Sequence, residues 1–191
     1  KVFCWVNSDL DGVASTILLG NMFSTFEYRP IFFGDFEDAY TKWAESNLDN
    51  FDRVFVVGMP LDQSLINRLD DYKLIFVSDK EQKLNVFDST KIIAEKTSCC
   101  KLLYNKFKEK IQIPKNLIKF IAYVDDYNSQ TFKFEESKYL NAIYRKSGSK
   151  KFSLFVNRFW DGFDGLTTKE INLAEQFYRE LDKELEGLTL Y

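Results

Sequence analysis

Two short, almost uninterrupted apolar runs restrict this fold most: Val54-Phe55-Val56-Val57 and Leu74-Ile75-Phe76-Val77. A strand with one wet face alternates apolar and polar residues, whereas a continuous run belongs to a strand covered on both faces. Residues 1–6 and 28–33 are rich in aromatic and β-branched side chains, and a shorter stretch of that kind spans 91–94. Helical spacing lies between them, over 13–24, 35–47 and 63–70. This alternation predicts an α/β fold with a doubly wound, mostly parallel five-stranded sheet. The second half reads as a helical C-terminal portion over 98–110, 115–125, 138–145, 152–159 and 168–186. Pro114 is a favourable start for the second of these helices, and Thr167 or Thr168 with Glu170 for the last. We therefore expect a core over residues 1–128 and a helical extension of the same domain over 129–191.

Ligand sites in such sheets sit beyond the carboxyl ends of the strands. There the chain places Asn7-Ser8-Asp9-Leu10-Asp11-Gly12, with Gly12 expected to let the backbone turn sharply into the first helix. Two carboxylates two residues apart at a strand exit suit a hard divalent cation. Asp-x-Asp-Gly alone is an ordinary turn sequence, but the strand before it and the helix after it favour a site. Gly58 and Asp79 fall at the ends of the third and fourth strands, so Asp9, Asp11, Gly58 and Asp79 are predicted to share one cleft.

The segment Asn7–Gly12 resembles the first motif of the DHH phosphoesterases, His-Asn-Asp-x-Asp-Gly. Later segments fall in the same order as in that family. Arg53-Val54-Phe55-Val56-Val57-Gly58 resembles its second-motif strand, and Leu74-Ile75-Phe76-Val77-Ser78-Asp79-Lys80-Glu81 the strand carrying Asp-His-His. Ser98-Cys99-Cys100-Lys101-Leu102-Leu103-Tyr104 resembles the helix that follows. Ile121-Ala122-Tyr123-Val124-Asp125-Asp126-Tyr127-Asn128 resembles the fourth motif. Leu140-Asn141-Ala142-Ile143 and Lys151-Phe152-Ser153-Leu154-Phe155 are similar to segments of the oligoribonuclease branch.

The resemblance implies a two-metal phosphodiesterase scaffold with a degenerate ligand set. Asn7 stands in place of a His, Gly58 in place of an Asp, and Lys80 and Glu81 in place of the two His of the family name. Asn128 matches the fourth-motif Asp, with Asp125 or Asp126 as alternatives if the register slips. The chain contains no histidine at all. What remains implies no resident cofactor, or one weakly held Mg²⁺ or Mn²⁺ on Asp9, Asp11, Asp79 and Glu81. The expected function is that of an impaired phosphoesterase-like protein, a pseudoenzyme, that binds a protein partner or a nucleotide or short oligonucleotide. Two alternatives stand beside it. One is an active Mn²⁺- or Mg²⁺-dependent phosphodiesterase acting on short oligonucleotides or cyclic dinucleotides, with Asp125 or Asp126 recruited and Asp62 in place of the second-motif carboxylate. The other is a structural subunit of a larger, viral assembly, homo- or hetero-oligomeric. Family members generally carry a second domain that grips nucleic acid, and this chain is expected to stop where that domain begins.

A net charge of −3 argues against generic nucleic-acid binding. The basic cluster Arg145, Lys146, Lys150 and Lys151 around Gly148 is the candidate phosphate-binding loop. Three cysteines, two of them adjacent, fit core packing in a reducing cytoplasm better than a disulfide framework. No apolar run is long enough to span a bilayer, so no membrane partner is expected.

Overall fold

The computed structural model describes residues 1–60, 63–69, 73–79, 91–95 and 97–188. Five parallel strands form one sheet: β1 (Val2–Asn7), β2 (Phe26–Ile31), β3 (Arg53–Val57), β4 (Leu74–Ser78) and β5 (Lys91–Ala94), in the order β2-β1-β3-β4-β5. Helices α1 (Leu10–Met22), α2 (Phe33–Asn47) and α3 (Gln63–Arg68) lie between strands in the chain. Then come α4 (Cys99–Phe107), α5 (Lys115–Asn128), α6 (Glu135–Lys146), α7 (Lys151–Arg158) and α8 (Thr168–Leu188). Parallel α/β architecture with a helical C-terminal portion is thus the class that the sequence pattern points to.

Successive strand residues point to opposite faces, and the core divides accordingly. Cys4 and Val6 of β1, with Phe55, Val57 and Val77, face α1 and the helices of the second half. Phe3 and Trp5, with Val54, Val56, Leu74 and Phe76, face Phe36 and Tyr40 of α2 and Ile66 of α3. Both faces of β3 and β4 are covered, which is why their runs are continuous. Leu140, Ile143, Phe152, Phe155 and Ala174 pack into the same core as α1, so α6, α7 and α8 close over one face of the sheet.

The first turn after β1 differs from expectation. Helix α1 begins at Leu10, and Gly12 sits inside it rather than at a bend. Gly12 is required for closeness: a Cβ there would lie 2.0 Å from the Asn7 carbonyl oxygen and 2.8 Å from Val6 Cγ2. Strand β2 ends at Ile31, so Phe32 and Phe33, read from sequence as strand, leave the sheet and open α2. The loop containing Gly162 is packed rather than free. Its φ is +92°, and a Cβ would lie 2.2 Å from the Asn116 carbonyl carbon.

Candidate functional site

The chain passes from β1 through α1 to β2 on one side, then returns to β3 on the other side of β1. Such a reversal opens a crevice at the strand carboxyl ends. Here it is a cleft of about 330 Å³ lined by Asn7, Asp9, Asp11, Phe33, Gly58, Pro60, Asp79 and Asn128. The strand-end residues singled out from sequence are brought together, and Asn128 reaches them from the end of α5. Lys80, Glu81 and Asp62 lie outside the described residues.

Each aspartate of the first motif has a defined task. Asp9 is the N-cap of α1, accepting the Gly12 amide at 2.7 Å, and also accepts Asn7 Nδ2 at 2.5 Å. Burial, and next the charge of Asp11, push the Asp9 carboxyl up to about 7 against those two hydrogen bonds. Asp11 is buried, and its two oxygens accept the amides of Cys99 at 2.7 Å and Cys100 at 2.8 Å. Those amides are the first two of α4, whose adjacent Ser98 makes no side-chain cap. Asp11 therefore caps, from 88 residues away, a helix with no local cap. Its carboxyl is held above the ordinary range by burial, with the amide bonds opposing. Asp79 is exposed at the cleft.

The other acidic candidates are engaged elsewhere. Asp125 accepts Thr97 Oγ1 at 2.9 Å, the Ser98 amide at 3.1 Å and Ser98 Oγ at 2.7 Å. Asp126 is buried and accepts Thr131 Oγ1, the Lys133 and Phe134 amides at 2.9 and 3.1 Å, and Ser137 Oγ at 2.7 Å. It staples the α5–α6 loop. Neither residue lines the cleft, so at the fourth-motif position the cleft has Asn128.

Gly58 lies at φ +71°, where an L side chain is strained, and a Cβ would meet Asn7 Cβ at 3.2 Å. Cys99 and Cys100 are buried, and burial first, then Asp11, keeps both thiols protonated. The four residues of the basic cluster have different surroundings. Lys146 pairs with Glu180 of α8, and Arg145 lies over the Phe177 ring at 5.6 Å. Lys151 lies over the Tyr144 ring at 4.8 Å, and Lys150 is exposed. Sequence reading missed Phe33, 64% exposed at the cleft. Its signal was its place just beyond a strand end, hidden when that strand was extended by two residues.

No protein-family model matches the sequence, and no curated protein matches it. Solved structures do. The fold is DHH/RecJ-like. An uncharacterized protein from Helicobacter pylori G27 superposes with a TM-score of 0.63 at 14% identity, over 94% of this chain and 61% of that one. CDC45 from Entamoeba histolytica gives 0.53 at 10% identity, over 99% and 53%. Exonuclease RecJ, in a structure bound to manganese, gives 0.53 at 13% identity, over 99% and 63%. The chain thus spans between about half and two thirds of the length of these neighbours. Among the described residues no helix is long and apolar enough to cross a membrane.

Proposed function

We propose that this chain is a catalytically impaired DHH-phosphoesterase-like protein of the oligoribonuclease-like branch, acting by binding a protein partner. The observation that carries the reading is the donor set of the strand-end cleft. A pair of divalent cations about 3.5–4 Å apart clamps the attacking and leaving oxygens in two-metal hydrolysis. Seating such a pair calls for a carboxylate shared between the two ions, and Gly58 has no side chain at the position where the resemblance implies one. Asn7 and Asn128 offer neutral amide oxygens. A carboxylate has about four lone-pair sites. Asp11 uses one on each oxygen for α4, and Asp9 one on each for Gly12 and Asn7. Among the described residues, the remaining sites, with Asp79, suit at most one weakly held Mg²⁺ or Mn²⁺ and do not fit a pair.

The same charges favour a protein over a nucleotide as the bound species. Among the described residues the cleft holds three aspartates and no cation that would attract a phosphate. Of the four cations proposed to attract one, Arg145 and Lys146 are engaged with α8. Asp125 and Asp126, which bind the α4 and α6 entries, do not line the cleft that a rebuilt active site would use.

The test is turnover. Purified chain is incubated with Mn²⁺ and short RNA, single-stranded DNA or cyclic dinucleotides, and products are resolved by chromatography. The expected result is no metal-dependent product. Turnover that disappears in an Asp9→Ala variant overturns the proposal. As a positive control for the argument, the triple variant Asn7→His, Gly58→Asp, Asn128→Asp is expected to bind Mn²⁺ more tightly than the native chain by calorimetry.

A further inference from the structure

Helix α8 carries apolar residues at Ile171, Ala174, Tyr178, Leu181, Leu185 and Leu188, a 3-4-3-4-3 spacing that keeps one stripe along the helix. The stripe begins under the domain and leaves it. Ala174 is fully buried, Tyr178 half-buried, Leu181 37% exposed and Leu185 53% exposed. At Tyr178 it meets an open groove of about 400 Å³ walled by Phe132, Phe134, Tyr139 and Tyr178, with Glu135 and Lys138 at its edge. Phe132 stands at φ +49°, an outlier for so bulky a residue. That conformation leaves the ring 43% exposed, with the Lys138 ammonium 5.4 Å from its centre. Single exposed apolar residues are ordinary on a surface. An aromatic groove running into a heptad stripe is a continuous apolar track.

Charge identifies what lies on it. The stripe's flanking positions beside Leu181 and Leu185 are Asp182 and Glu184, with Glu175 one heptad earlier. Residues 168–188 hold six acidic and three basic side chains. The last turn of α8 has no basic residue, although a helix carboxyl end favours cations over anions. An antiparallel second copy would set acid against acid at Asp182 and Glu184, which disfavours that self-pairing. A helix with basic flanks would neutralise both the flanking acids and the helix end.

We propose that Tyr178, Leu181 and Leu185, with the groove at Phe132 and Phe134, dock an amphipathic helix of a protein partner whose flanking positions are lysine or arginine. This surface does not depend on the state of the strand-end cleft, and turnover there would leave it standing.

The probe is a fluorescein-labelled peptide of about three heptads with Leu at the stripe positions and Lys at the flanks, titrated with the intact chain and read by fluorescence anisotropy. We expect saturable binding, weaker by at least about tenfold for a scrambled peptide of the same composition and for one with Glu flanks. Leu181→Asp is expected to abolish it. The double variant Asp182→Lys, Glu184→Lys is expected to switch preference to the Glu-flanked peptide, with an unchanged circular dichroism spectrum. Equal binding of the scrambled peptide, or binding unaffected by both variants, overturns the proposal. So does a dimer in sedimentation that Leu181→Asp dissolves, since a second copy would then be the occupant.

Discussion

Asp11 and Asp126 are 6% and 4% exposed, and each accepts two backbone amides. Their titrations nevertheless move in opposite directions. Burial pushes both carboxyls up. At Asp126 that push is outweighed by the hydroxyls of Thr131 and Ser137 and the two amides, which hold its pKa at about 2. At Asp11 the amides oppose burial without overcoming it, and Asp79 adds repulsion. Asp11 lies deep in the molecule and Asp126 beneath a single turn, so depth, the number of donors and the sign of the neighbours together decide the state of each carboxylate. The α5–α6 turn gives its aspartate every partner it needs. Among the described residues, the strand-end cleft crowds three aspartates together with no cation in its lining.

The sharpest way to break this contrast is Asp126→Ala. It strands four donors around a buried turn and is expected to lower unfolding stability by about 3–5 kcal/mol in urea titrations. Asp11→Ala should cost less, about 1–2 kcal/mol, because the loss of two helix-capping bonds is partly offset by relief of repulsion in the cleft. Equal losses would show that the neighbouring charges do not matter.

The pH dependence separates the regions further. Asp126 has a folded pKa below its ordinary value, so its contribution is present above about pH 4 and lost as pH falls towards 2. The variant Asp126→Asn should lack that acid decline. Asp9 is raised to about 7, so its contribution is present below about pH 4 and lost as pH rises through 7. Asp9→Asn should therefore melt higher than the native chain at pH 8, and the difference should shrink at pH 4. Thermal melts across this range check both signs, and parallel curves would refute the comparison.

The smallest effect is expected at α8. Thr167 Oγ1 accepts the Glu170 amide at 3.2 Å, and Glu170 accepts the Thr167 amide at 2.6 Å, a reciprocal cap. Thr167→Ala should cost about 0.5–1 kcal/mol in the same melts, setting a scale for a local cap against the distant one supplied by Asp11.

That scale also marks what could be read from the chain. The cap of α8 was legible because both partners lie within four residues. The parallel sheet was legible because β3 and β4, covered on both faces, leave no room for polar residues. The gathering of Asp9, Asp11, Gly58 and Asp79 followed from strand ends facing one way. The role of Asp11 at α4 was not legible, since no local pattern announces a cap 88 residues away. The choice between Asn128 and its acidic neighbours also needed three dimensions. One helical turn carries Asp125, Asp126 and Asn128 towards different surroundings, and only the partners waiting there tell them apart. Phe33 was concealed by a misplaced strand boundary.

The hold of Asp11 on α4 also ties together segments made at different times during synthesis. A nascent chain ending before residue 99 would carry β1 and α1 with a carboxylate bound for the interior and no amides to meet it. The first motif gains those partners only once the fourth helix has been made.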